Sequence, residues 1–306
     1  MPHGYAVLLM VLVTLLWSTA GVVSRHFEVA AGFEINFWRS SFNALTLSMA
    51  LTVMRGPRLW RQFFTAPAAM WISGVCWGFM FTAFMMALTI TTVANVLVVM
   101  AIGPLITALL AHLFLRHHLA PATWLAIVSA GVGIVWMFLE KNNGGVSLLG
   151  SLVALMVPLA MSINFIVLQK VGLDRKTAGG SAGAMQDMLP AVLIGAVLSA
   201  VVTLPLALPL QASVHDLGLL AMLGVFQLAV PCLLVVRLTR ELTAPEITLL
   251  SLLEVIFGVS WAWLWAGEQP SLRILQGGAL VIGAMILNEM VRIVRQRRSL
   301  RRMEID

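Results

Sequence analysis

Apolar positions in this chain do not alternate with polar ones; they run together in long blocks. A window of about 19 residues finds ten such blocks. They lie at roughly 4–24, 34–54, 67–88, 92–115, 120–139, 147–170, 186–207, 215–236, 244–266 and 271–290. Each approaches the ~20 residues that an α-helix needs to cross a hydrocarbon core of about 30 Å. The breaks carry turn formers or charge: "RGPR" from 55, "KNNGG" from 141, "DRKTAGG" from 174 and "LPLQ" from 208. No soluble domain fits between them, so the pattern predicts an all-α integral membrane protein of ten transmembrane helices.

Composition narrows the class further. Of 306 residues, 60% are hydrophobic and 10% charged, which a soluble surface of this size does not tolerate. The net charge of +6 does not point to nucleic acid, because six arginines crowd the tail "VRIVRQRRSLRRMEID". A basic juxtamembrane tail anchors topology and favours anionic lipid. Cys76 and Cys232 lie inside apolar blocks and offer neither a disulfide framework nor a metal pattern. Neither Lys nor Arg precedes the first block, so it reads as a span rather than a cleaved signal peptide.

The basic residues set the orientation. With both termini in the cytoplasm, Arg55, Arg58, Arg61, Arg116, Lys170, Arg175, Lys176, Arg237, Arg240 and the six tail arginines fall inside. Arg25, Lys141 and Arg273 fall outside, and Arg39 lies within a span. Fifteen against three is the positive-inside bias expected of a correct assignment.

The two halves resemble each other. "TVANVLVVMAIGPLITALLAHLFLRHH" from 92 aligns with "TAPEITLLSLLEVIFGVSWAWLWAGEQ" from 243, and "LLWSTAGVVSR" from 15 aligns with "LAMSINFIVLQ" from 159, placing Ser18 over Ser162. Five spans per half is odd, so the repeats, 1–143 and 144–306, insert in opposite orientations. Inverted repeats are the architecture of many secondary transporters, with the substrate near the midplane between them.

The chain resembles the ten-span, EamA-type members of the drug/metabolite transporter superfamily. The resemblance rests on "LLWSTAG" (15–21), "EINFWRSSF" (34–42), "GPLITALLAHLFLRHH" (103–118), "LLEVIFGVSWAWLWAGEQ" (252–269) and "GGALVIGAMIL" (277–287), in that order. There are departures. His117 stands where the second half has Glu268, Val255 stands where the first half has Pro104, and the first span lacks the Glu of small four-span relatives. The resemblance implies a secondary transporter working by alternating access, most simply an exporter of small metabolites such as amino acids. Proton-coupled efflux of lipophilic cations, and solute exchange or import, are the alternatives.

Candidate substrate contacts are the polar and aromatic residues within spans. Glu254 lies about ten residues into the ninth span, or ~15 Å deep, where a carboxylate costs roughly 2.5–3.5 kcal/mol. Ser251, Gly258 and Trp261 share its helix face. Proton coupling, a cation contact and plain interhelical packing are all open to it. Arg39 is expected to hold a substrate carboxylate, to pair with Glu34 or Glu254, or to snorkel outward. Ser18, Asn95, Ser162, Asn164 and Gln227 are expected to face the bundle, with Trp17 and Trp77 beside them as stacking or packing rings.

Other motifs read as structural. Thr243-Ala-Pro-Glu246 has the form of a capping box, and His112, His117 and His118 read as solvated. Gly131, Gly133, Gly277, Gly278 and Gly283 permit close helix approach, within a monomer or across a homodimer. No phosphate loop, nucleophile–base pair or cofactor motif is present, so no enzyme activity, cofactor or metal is expected, and the partners are a small-molecule substrate and the bilayer.

Overall fold

The computed structural model describes residues 3–56, 60, 66–115, 121–138, 147–177, 188–238 and 244–303, and the described residues form helices and short connections only. The helices are α1 (His3–Ser24), α2 (Phe33–Arg55), α3 (Ala68–Ile90), α4 (Val93–Met100), α5 (Gly103–Leu115), α6 (Pro121–Phe138) and α7 (Leu148–Thr177). They continue with α8 (Leu189–Ala207), α9 (Val214–Met222), α10 (Val230–Leu238), α11 (Ala244–Trp265) and α12 (Leu272–Met303). Between α9 and α10 the chain stays helical but widens to π geometry over Leu223–Ala229.

His3–Ser24, Ala68–Ile90, Leu189–Ala207 and the joined stretch Val214–Leu238 are long and apolar enough to cross a membrane. Shorter apolar helices occupy Val93–Thr107, Trp124–Gly133, Leu148–Asn164, Leu253–Trp265 and Leu272–Asn288. The fourth apolar block, expected as one helix, is two. Pro104 lacks the N–H that would bond the carbonyl of Met100, so α4 stops and α5 restarts after Ala101 and Ile102. Thr92 caps α4, accepting from the Asn95 N–H at 3.3 Å. The Thr243 capping box, His117 and His118 lie outside the described residues, as do the side chains of Glu246 and His112.

Packing follows a fixed pairing. The α1 helix lies on α11 and on α10; α7 lies on α3, α4 and α5; α2 lies on α8, on α9 and on the π segment; α3 lies on α8; and α6 lies on α12. Glycines set the closest approaches. A Cβ on Gly78 would stand 2.9 Å from the Gly195 carbonyl, and one on Gly133 would stand 2.9 Å from the Gly277 carbonyl. Gly133 is therefore used inside the chain, between α6 and α12, whereas Gly131 and Gly283 meet nothing within 4 Å.

The ends of α1, α3, α8 and α11 come together with the starts of α2, α4 and α9, and polar contacts close this end of the bundle. Asp216, in the first turn of α9, accepts from the backbone N–H groups of Glu28 (2.8 Å), Val29 (3.0 Å) and Ala30 (2.8 Å) in the α1–α2 connection. Reciprocally, Glu34 in the first turn of α2 accepts from Gln211 (2.7 Å) and Ala212 (2.8 Å) in the α8–α9 connection. Both carboxylates are buried, and both satisfy loop donors that lipid or a dry interface would leave unpaired.

Candidate functional site

Helix α2 carries its polar residues at three- and four-residue steps: Asn36, Arg39, Ser40 and Asn43, all buried. That stripe faces α3, α8 and the π segment, and a group of buried polar contacts gathers on it.

Arg39 neither snorkels nor pairs with Glu34 or Glu254. Its side chain is 1% exposed, and its Nη2 and Nε donate to Gln227 Oε1 at 2.7 and 3.3 Å. Gln227 in turn donates from Nε2 to the Trp17 carbonyl at 3.2 Å, linking α2, the π segment and α1. The Phe84 ring lies 5.7 Å from the guanidinium carbon, within cation–π range. Among the described residues Nη1 has no acceptor, and neither amide atom of Asn43, one turn along, has a partner. Glu34 is committed to the α8–α9 connection, which is why it is not available to Arg39.

Below this lies a hydroxyl cluster. Ser199 Oγ of α8 lies 2.9 Å from Asn36 Nδ2, Ser40 Oγ and Thr82 Oγ1, tying α2, α3 and α8 together. Among the described residues the Asn36 Oδ1 atom has no donor.

The other predicted residues sit at separate helix contacts. Trp261 Nε1 donates to Ser18 Oγ at 3.0 Å, joining α11 to α1, while Ser18 also bonds the Leu15 carbonyl at 2.7 Å. Ser162 Oγ lies 2.8 Å from Thr107 Oγ1, joining α7 to α5, and donates to the Pro158 carbonyl at 2.7 Å. Ser73 Oγ donates to Asn164 Oδ1 at 2.6 Å between α3 and α7. Asn95 Nδ2 donates to Ser151 Oγ at 2.6 Å and Thr91 Oγ1 at 3.1 Å. Trp77 packs across the α3–α8 contact, its ring 5.5 Å from that of Phe81. Ser251 and Glu254 are partly buried on α11, and Glu254 makes no hydrogen bond or ion pair with a described residue. Trp17, Arg39 and Gln227 therefore form one constellation, with Ser18 and Trp261 next to it; the remainder are spread along the bundle.

Sequence reasoning passed over three features. The stripe around Arg39 was readable from "INFWRSSFN", where Asn36 and Asn43 flank the arginine at helical spacing. The Ser199 cluster gave no signal, because a lone serine in an apolar span is common. The third joins Arg25 to Glu268. Arg25 Nε lies 2.6 Å from Glu268 Oε1, Nη1 and Nη2 donate to the Leu88 and Thr91 carbonyls at 2.7 and 2.8 Å, and Glu268 Oε2 accepts from the Val93 N–H at 3.0 Å.

Comparison with known proteins agrees with the helical membrane architecture. The sequence profile of the EamA-like transporter family matches residues 4–139 and 148–290. The chain is 26% identical over 200 residues to "Uncharacterized transporter YdfC" of Bacillus subtilis (strain 168), a match covering 63% of this chain and 60% of that protein. The matched part thus spans under two thirds of the relative's length. A solved structure described as "Crystal structure of protein" superposes with a TM-score of 0.60 at 17% identity, covering 94% of this chain and 98% of the other, which speaks to fold alone. The chain is a multi-pass membrane protein and belongs to the EamA-like transporter family.

Proposed function

We propose that the chain is a secondary active transporter whose two halves, 1–143 and 144–306, insert in opposite orientations as ten crossings with both termini in the cytoplasm. One observation carries this reading: the helix pairing keeps its form when the halves are exchanged. The contact of α1 with α11 has its counterpart in α7 with α4 and α5, and that of α2 with α9 and the π segment in α8 with α3. The α2–α8 and α6–α12 contacts are their own counterparts. Side chains follow suit: Ser18 bonds Trp261 of the ninth apolar block, and its aligned partner Ser162 bonds Thr107 of the fourth.

A protein built this way rocks one half against the other around a site between them. In this conformation the Arg25–Glu268 contact, Asp216 and Glu34 tie one end together, and the positive-inside bias supports reading that end as the outer one. The cargo we favour is a small metabolite such as an amino acid, exported across the bacterial inner membrane; monomer and homodimer both fit. A second reading, proton-coupled efflux of lipophilic cations, draws on Glu254, a carboxylate in mid-helix with no partner among the described residues.

The test is counterflow in proteoliposomes holding the purified chain, preloaded with amino acids, organic anions, nucleosides, sugars or quaternary ammonium compounds. Exchange of any one class above empty-vesicle rates supports carriage and names the cargo. Equal rates with and without protein across the panel would defeat the proposal.

A further inference from the structure

We propose that Arg39 is the anchor for a carboxylate: the carried solute is a small monocarboxylate whose oxygens take the open Nη1–Nη2 edge of this guanidinium. The inference rests on the transporter reading and adds the ligand's chemistry to it.

Guanidinium has five N–H groups, and burial makes each one costly to leave unpaired. Here Nε and Nη2 share a single acceptor, Gln227 Oε1, along one side of the plane. That leaves the second hydrogen of Nη2 and both of Nη1, and among the described residues no group accepts from Nη1. The free edge is the one that receives two carboxylate oxygens side by side.

Charge points the same way. Among the described residues no carboxylate pairs with Arg39; Glu34 and Asp216 are occupied by backbone N–H groups. The fixed surroundings are a neutral amide, the face of Phe84, 5.7 Å away, and the buried Cys232 thiol. A cation in such surroundings is strongly stabilised by an anion that arrives with matching geometry. A monocarboxylate brings the site to neutrality, whereas a phosphate dianion leaves it negative. Asn43, a helical turn away with both amide atoms unpartnered, supplies a further donor and an acceptor to the same ligand.

The site is shut in this conformation, and the structure marks where it opens. Gly224 of the π segment lies so close to α2 that a Cβ there would stand 2.8 Å from the Arg39 carbonyl and 2.9 Å from the Asn43 nitrogen. A π turn carries an extra residue that an α-helix re-absorbs by shifting its register, and such turns concentrate at functional sites. Movement of this segment off α2 uncovers Arg39 and Asn43 together.

The experiment uses matched acids and amides on the purified full chain at constant ionic strength: benzoate against benzamide, isobutyrate against isobutyramide, and L-leucine against L-leucinamide. Thermal unfolding is followed against concentration, with chloride and phosphate as controls. The expected result is that at least one acid raises the midpoint at a concentration roughly tenfold or more below its amide. Arg39→Gln should erase that preference, and Arg39→Lys should keep it in weakened form. Amides as effective as acids, chloride or phosphate as effective as the carboxylates, silence from every carboxylate, or a preference surviving in Arg39→Gln would each overturn the anchor. Counterflow of neutral or cationic solutes alongside any of these results leaves the transporter reading standing, and absence of all counterflow removes both. Should Arg39→Gln fail to fold, the acid-to-amide ratio in the unsubstituted chain and in Asn43→Ala decides the matter, because a purely structural arginine produces no such ratio.

Discussion

Arg25 and Glu268, 243 positions apart, meet at 2.6 Å and between them hold the ends of four helices. Arg25 follows α1 and binds the Leu88 carbonyl of α3 and that of its C-cap residue Thr91, while Glu268 follows α11 and accepts from the first N–H of α4. Each group is only part-exposed, 26% for Arg25 and 17% for Glu268. The pair joins the first half to the second at the end where the bundle is closed.

Breaking that pair should loosen this end. Arg25→Ala removes the donors to Glu268 Oε1 and to the Leu88 and Thr91 carbonyls, and we expect a loss of about 1–3 kcal/mol in unfolding free energy. Arg25→Lys should not restore it, because an ammonium lacks the flat fork that reaches three acceptors at once. A double-mutant cycle with Glu268→Gln, read by thermal unfolding, should give a positive coupling energy; additive losses would show the contact to be incidental.

The reciprocal acids Asp216 and Glu34 give a second prediction. Asp216 uses both oxygens, one for Glu28 and one for Val29 and Ala30. Asp216→Asn turns one of those oxygens into a donor facing donors, so it should destabilise by roughly 2 kcal/mol or more. Hydrogen exchange should then rise first at Glu28, Val29 and Ala30; unchanged protection there would mean the loop is held by something else.

Glycine substitutions separate crowding from helix propensity. Gly195→Ala puts a methyl against the Trp77 Cβ, and 2.8 Å from the Gly78 nitrogen, which is backbone and does not yield. A loss of about 1–3 kcal/mol is expected. Gly131→Ala meets nothing within 4 Å inside the chain. With no clash, the better helix former wins, and stability should rise by about 0.5–1 kcal/mol in the monomer. Destabilisation by Gly131→Ala would instead reveal a partner surface on that face.

Glu254→Gln keeps size and shape and removes only the charge. If Glu254 couples transport to protons, the variant should lose uptake driven by a pH gradient while counterflow continues in proteoliposomes. Loss of both together with poor folding would leave packing as its role.

The apolar blocks, and with them the helices, were readable because crossing a bilayer demands long uninterrupted apolar runs. The break before α5 was not read, although Gly103 and Pro104 mark it, because the apolar run continues across it. What the chain did not disclose is rotational phase. These helices are apolar nearly all round, so no polar face marks which side Gln227 takes, and its partner Arg39 lies 188 positions away. Glu34 was legible as an acid near a helix start but not as the acceptor of a distant loop. The π segment has no compositional sign at all, since "LGVFQLA" reads like any apolar turn.

Alternating access is the centre of this account, and labelling of one engineered thiol from each side of the membrane tests it most directly. In a background lacking Cys76 and Cys232, Glu254→Cys would be exposed to a membrane-impermeant maleimide in right-side-out and inside-out vesicles. The account predicts labelling mainly from the cytoplasmic face while Arg25–Glu268 is intact, and labelling from the outer face once Arg25→Ala is added. Labelling whose sidedness ignores the clamp, or no labelling from either face, would contradict it.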